Sequence, residues 1–451
     1  MRFFVLAIAF AVASPVAHAQ RQDTVARVDS IFSRFTSTTP GCAVGVSRHG
    51  RTVLSKAYGM SNLEYDVPLT AESIIEAGSV SKQFTAAAIL LLAQQGRKYI
   101  PELPDYGVRL TIRHMLNHTS GLRDWGAVAA VEGWPRGSRV HTHDHVLDIV
   151  SRQRSLNFPP GSEYLYSNTG YNLLAMIVQR VSGRSFADFT RTEIFEPLGM
   201  ARTSWRDDYT RIVKGRATAY SPTRDGFRLN MPFENVHGNG GLLTTVEDLL
   251  RWSSNFDAAR VGGPALLREQ VRPGRLTSGR EIEYAAGLSV TRYRGVPEVS
   301  HSGSTAGYRA FLTRYPDQGL AVAVLCNHAG AGAVGLGHRV ADIYLGATAS
   351  DPATWCVHQI GADQVNGDGK QWADYPGLGF SRDRVTVTSN QFDFAGPQGF
   401  AYAQVLSFDK TGLYDCTKRL EFRAFGGAAA PVELGDGRRA GARRRRRGGG
   451  A

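Results

Sequence analysis

The sequence lacks most of the features that would place it quickly. It has four cysteines in 451 residues and no Cys-x-x-Cys spacing, which disfavours a zinc cluster. After the first segment no apolar run approaches the roughly 18 residues that a membrane helix needs; the longest, Phe84 to Ala93, has the length of a buried helix. Acidic residues do not dominate, and charged residues make up 20 % against 42 % hydrophobic, so disorder throughout is excluded and a large core is expected. The net charge of +12 is placed unevenly. Seven arginines lie between Arg438 and Arg447, so 12 − 7 leaves +5 for everything upstream. A like-charge run beside Gly448–Gly450 reads as a solvated, disordered tail at 438–451, and no nucleic-acid partner is expected.

What is present begins with a leader. Arg2, an apolar run from Phe3 to Ala13 and the small-x-small triplet Ala17-His18-Ala19 predict a secretory signal peptide over 1–19, hence a periplasmic or secreted protein with no membrane span. Export permits disulfides. Even so, Cys42 and Cys326 sit in apolar, strand-like runs, where buried free thiols are the expectation.

Periodicity predicts a helix over Asp23–Phe35, strands at Cys42–Ser47 and Thr52–Ala57 around a His49-Gly50 turn, and a helix apolar nearly all round at Ser79–Gln95. A mainly helical middle follows from about Leu110 to Asp257. Short strands return at 283–294, 308–315 and 320–326, and a helix closes at Gly335–Leu345. That order predicts an α+β fold (α/β sandwich): an antiparallel sheet built by the two ends and flanked by helices, with an inserted helical lobe. A cleft between the lobes is the natural ligand site. The expected organisation is one domain over 20–347 and a β-rich segment over 350–437, where Arg384–Thr388 and Phe400–Phe408 alternate.

Three short constellations can carry chemistry. Ser79 precedes the buried helix, and Lys82, three residues on, shares its face. A serine hydroxyl needs an adjacent base, and a desolvated lysine is a usable one. Tyr166-Ser167-Asn168 offers a phenol that can relay a proton and an amide that can hold a carbonyl and orient the lysine. In His301-Ser302-Gly303, expected as a turn ahead of a strand near Tyr308, Gly303 allows close approach of an acyl group. The Ser304 N–H would complete an oxyanion hole with that of Ser79, and His301 would present a positive or hydrogen-bonding group.

In this order, Ser-x-x-Lys, Tyr-x-Asn and His-x-Gly resemble the serine β-lactamase and penicillin-recognising family. The tyrosine points to its branch of class C β-lactamases, D-alanyl-D-alanine carboxypeptidases and esterases. Leu116-Asn-His-Thr-Ser-Gly-Leu122 and Gly240-Gly241-Leu-Leu-Thr-Thr-Val-Glu-Asp248 are similar too, and the resemblance spans about Asp23 to Leu345. It implies Ser79 as the acylated nucleophile, Lys82 and Tyr166 as base and proton shuttle, and Asn168, His301, Gly303 and Ser304 as substrate contacts, without metal or cofactor. The implied partner is a small-molecule or peptide acyl substrate: a peptidoglycan-like peptide, an ester or a β-lactam. β-Lactamases of this family carry lysine where this chain has His301, which favours a D-amino-acid peptidase or esterase over antibiotic hydrolysis. A non-catalytic binder of peptidoglycan peptides is the second class. A metallohydrolase built on the histidine-rich stretch of His141, His143 and His145 is the third; neither that stretch nor His114 with His118, at helical i, i+4 spacing, has a His-Glu-x-x-His pattern.

Overall fold

The computed structural model describes residues 15–93, 100–346, 371–380, 384–393, 400–409 and 422–425. The chain divides into two compact units, Met1–Ala349 and Ser350–Ala451. In the second, Gln371–Phe380, Arg384–Asp393, Phe400–Asp409 and Phe422–Phe425 form a four-stranded antiparallel meander. The first fourteen residues of the expected leader, the arginine tail, Cys356 and Cys416 lie outside the described residues.

The larger unit is organised by a six-stranded antiparallel sheet. Its spatial order is Ser289–Tyr293, Val296–Thr305, Tyr308–Tyr315, Leu320–Cys326, Cys42–Arg48 and Arg51–Tyr58. The two ends of the unit therefore meet at the centre, where Cys42–Arg48 pairs with Leu320–Cys326. Both central strands are apolar and buried on both faces, as expected for strands covered on each side. The hairpin from Cys42–Arg48 to Arg51–Tyr58 turns on His49 and Gly50 at φ 47° and 72°, the left-handed pair that a tight turn between right-twisted strands requires.

Alternation splits the sheet into two cores. Val44, Val46, Val322 and Val324 face Val28 and Phe32 of the first helix and Leu336 and Val340 of the last, Ala333–Leu345. Ala43, Ala321, Ala323 and Leu325 face the other way, toward helix Val246–Ala258 and the helical lobe. There, helix Lys82–Ala93 is buried, with the Phe84 ring 4.6 Å from Trp252 and 5.8 Å from Phe195. Helix Asn168–Ser182 packs beside it.

Two local expectations are corrected. Strand Val296–Thr305 runs through His301-Ser302-Gly303, which is therefore strand and not turn. Pro297 and Gly303 blur its alternation, and pairing of His301, Ser302 and Gly303 with Leu312, Phe311 and Ala310 of the next strand supplies what propensity does not. Cys42 and Cys326 are not free thiols but a disulfide. Antiparallel register puts them directly opposite each other, with Cα atoms 4.0 Å apart across a sequence separation of 284 residues.

Candidate active site

Ser79 lies in a single 3-10 turn, Gly78–Ser81, that leads into the α-helix starting at Lys82. Three residues per turn stack i over i+3, so the lysine side chain returns over the serine. Lys82 Nζ stands 3.1 Å from Ser79 Oγ, 2.9 Å from Asn168 Oδ1 and 2.7 Å from the Asn239 carbonyl. The lysine is fully buried, and Ser79 is half-buried at its mouth.

Burial, with the Arg136 guanidinium adding to it, holds the Lys82 ammonium well below its ordinary pKa; Asp124 opposes them. Lys82 Nζ donates to the Asn168 and Asn239 oxygens, which can only accept, and to the Ser79 hydroxyl oxygen. Loss of one ammonium proton would turn a lone pair toward that hydroxyl.

Asp124, which sequence reasoning passed over, sets this geometry. One carboxylate oxygen, Oδ2, accepts from the Asn168 backbone N–H at 2.7 Å and from Asn168 Nδ2 at 2.9 Å. The Asn168 amide is thereby turned so that its oxygen meets Lys82. The other oxygen, Oδ1, caps helix Trp125–Val131 through Gly126 and Ala127. An aspartate ahead of an apolar run is a legible N-cap signal; its reach to Asn168 is not. Asn239 contributes through its backbone carbonyl, while its side chain is held by Asn172 Nδ2 at 2.7 Å.

Tyr166 overhangs the lysine, with Lys82 Nζ 4.9 Å from its ring centroid. Burial pushes its phenol above the ordinary value, partly offset by the Ser79 hydroxyl. The group is a neutral O–H donor in the resting site.

The opposite wall is backbone against backbone. A Cβ on Gly303 would stand 2.0 Å from the Ala77 carbonyl oxygen and 3.1 Å from the Ser79 nitrogen. One on Gly78, at φ 50°, would meet the Ser304 nitrogen at 2.6 Å. Glycine at both places lets the Ser79 turn and the strand touch. Ser289–Tyr293 pairs with that strand only from Val296 to Ser300, so beyond Ser300 this edge has no strand beside it.

Of the two expectations for His301, a positive or a hydrogen-bonding group, the structure supports the second. His301 is buried, its Nδ1–H is donated to the Ser302 carbonyl at 2.6 Å, and its Nε2 accepts from the Tyr284 hydroxyl at 2.9 Å. Burial, with Lys82 nearby, lowers its pKa to about 3. It is a neutral wall, not a positive group.

Two of the histidines weighed as metal ligands are engaged at a helix start. Thr142 and His145 form a capping box on helix His143–Ser151, and His143 Nε2 lies 3.0 Å from the His237 carbonyl. Among the described residues no cluster of three or more His, Cys, Asp or Glu is arranged to hold a metal.

Residues 28–345 match the family described as Beta-lactamase. The chain belongs to that family. Within it, the chain is similar to a D-aminopeptidase of Gluconobacter oxydans (strain 621H), 28 % identical over 316 residues that cover 68 % of this chain and 59 % of that protein. It is also similar to Penicillin-binding protein 4* of Bacillus subtilis (strain 168), 30 % identical over 304 residues, 62 % of this chain and 66 % of that one. The chain thus spans less than two thirds of the length of these curated relatives. Among solved structures, the octameric penicillin-binding protein homologue from Pyrococcus abyssi superposes with a TM-score of 0.63 at 20 % identity, covering 93 % of this chain and 99 % of that one. The D-amino acid amidase from Ochrobactrum anthropi SV3 gives 0.59 at 21 %, with 71 % and 98 % covered. Both share the fold.

Proposed function

We propose that this protein is an exported serine hydrolase that forms an acyl-enzyme at Ser79 and acts on amides or esters of D-amino acids. The observation that carries the reading is a fully buried Lys82 amine with one hydroxyl and two carbonyl oxygens around it. A structural lysine would be given a carboxylate partner or reach water. This one has its charged form disfavoured by burial beside an alcohol.

In the proposed cycle Ser79 Oγ adds to the acyl carbon while its proton passes to Lys82 Nζ. The Tyr166 phenol, held protonated, gives its proton to the departing amine or alcohol and is reprotonated from Lys82. The backbone N–H groups of Ser79 and Ser304 receive the oxyanion. Water then attacks the ester by the same steps in reverse. The unpaired edge beyond Ser300 offers main-chain groups to an extended substrate. Neutral His301 leaves the cleft wall without the positive charge that a terminal carboxylate would need at that position. This supports an amide, ester or amino-terminal residue over a carboxypeptidase substrate. It agrees with the D-aminopeptidases among the relatives. Export rests on the Phe3–Ala13 run and accords with the Cys42–Cys326 bond.

Intact-mass spectrometry tests this directly. The protein is incubated with a D-phenylalanyl amide, a D-alanyl-D-alanine peptide, a p-nitrophenyl ester and benzylpenicillin. Adducts or turnover are expected with the amide and the ester, and neither in Ser79→Ala. A wild type that takes no label and turns over none of the four sinks the reading.

A further inference from the structure

The proton shuttle is only as good as the placement of its phenol, yet Tyr166 lies in a loop with an exposed face. What fixes it comes from elsewhere in the chain. His118 is buried, and its main-chain carbonyl accepts the Leu165 N–H at 2.9 Å. Its ring Nδ1 accepts the Ser167 N–H at 3.2 Å. These are the residues immediately before and after Tyr166. Between the two bonds the imidazole lies against the Tyr166 ring, with centroids 4.2 Å apart and planes at 34°.

The backbone that makes this grip is unusual. His118 has φ 56°, a left-handed conformation that a side chain of its size adopts only when its surroundings demand it. With Nδ1 accepting, the ring proton resides on Nε2, which is buried and has no hydrogen-bond partner. A histidine serving only to fill space would need neither acceptor nor proton there. The Tyr171 and Tyr284 rings, at 5.2 and 4.7 Å, close the remaining sides and leave the imidazole one seat.

We infer that His118 is the positioning residue of Tyr166: it clamps the chain on both sides of the phenol and holds that phenol over Lys82. The inference rests on the acyl-transfer reading above, and His118 itself touches no reacting atom.

Three variants divide the contributions. In His118→Asn the amide oxygen falls where Nδ1 stands, and asparagine tolerates positive φ, so the grip on Ser167 survives without the ring. His118→Phe keeps the ring and loses the acceptor. His118→Ala loses both. Displacing a reacting group by about 1 Å costs on the order of a hundredfold in rate. His118→Phe is therefore expected to lose about tenfold to a hundredfold in kcat for the ester with KM within about twofold. His118→Asn should stay within about threefold to fivefold of wild type, and His118→Ala should be the slowest. Wild-type kcat in His118→Phe overturns the clamp, and so does a folded His118→Asn no faster than His118→Ala. Should the phenylalanine variant fail to fold, 15N spectra of histidine-labelled wild type decide: the Nε2–H tautomer at His118 supports the clamp, and the Nδ1–H tautomer excludes the Ser167 bond. If wild type takes no acyl label, the catalytic reading has failed; if it labels and His118→Phe matches its rate, only the clamp has.

Discussion

Two ionisable side chains are buried on opposite sides of the same sheet, and their surroundings push them to opposite charge states. Glu298, behind the sheet, would have its pKa raised by burial, yet it stays below its ordinary value. Thr313 Oγ1 at 2.8 Å, Tyr315 hydroxyl at 3.0 Å and His338 Nε2 at 2.8 Å meet one carboxylate oxygen, and Thr291 Oγ1 at 3.2 Å meets the other. Lys82, on the cleft side, is driven the other way because its neighbours are an alcohol, an amide oxygen and a main-chain carbonyl, with no carboxylate in contact. Burial is common to both; matched hydrogen bonds decide which group keeps its charge. The ion behind the sheet is an anchor. The amine in front is, in the proposed mechanism, a reagent.

The comparison breaks first at Lys82. Replacing it with methionine of similar volume removes the base but leaves no buried charge behind. Acylation of Ser79 should fall by about 10³-fold to 10⁴-fold, while the melting temperature stays level or rises, as mass labelling and calorimetry would report. A stability loss as large as that of a core cavity would mean Lys82 is an anchor after all. Next comes Asp124→Ala, which frees the Asn168 amide to rotate and should lower kcat by about tenfold to a hundredfold with KM little changed.

The reverse experiment is Glu298→Gln. Hydrogen bonds to a charged group contribute about 1.5–3 kcal/mol. The variant should lose roughly that much in urea denaturation while labelling at the wild-type rate. Any effect on kcat beyond about twofold would erase the distinction between the two faces.

The comparison can also be drawn in pH. His301 has a folded pKa of about 3 against an ordinary 6.5, so the fold prefers its neutral form. Stability from this residue is complete above pH 6.5. It is lost between about 6.5 and 3, where the unfolded chain takes up a proton that the folded one refuses. The loss is about 1.4 kcal/mol per pH unit from this group. His118 and His237 are shifted in the same direction by burial. Denaturation midpoints across pH 7 to 4 should show a shallower slope in His301→Asn than in wild type; equal slopes would mean the histidine is not held neutral.

How far sequence could reach follows from the range of each contact. Ser79 and Lys82 were legible because three residues on one turn bring them together, and the antiparallel sheet because Cys42–Ser47 and 320–326 are unbroken apolar runs. Asn239 stayed hidden because its contribution is a carbonyl, which every residue possesses, and it lies 157 residues from Lys82. The His118 clamp escaped for the same reason, half of it being main chain. The neutrality of His301 was invisible because it is imposed by burial, with Lys82 adding to it, and both come from other segments of the chain. Composition reports what a residue can be; enclosure decides which of those states it takes.

The bond between Cys42 and Cys326 adds an order of events to this. It joins neighbouring strands that come from opposite ends of the hydrolase unit, so it can close only after Leu320–Cys326 has been delivered, and it closes in native register once that strand is docked. The covalent latch is thus a late seal on a sheet already aligned by its valines. A chain kept reduced until release should complete the same sheet and be sealed afterwards by an oxidant.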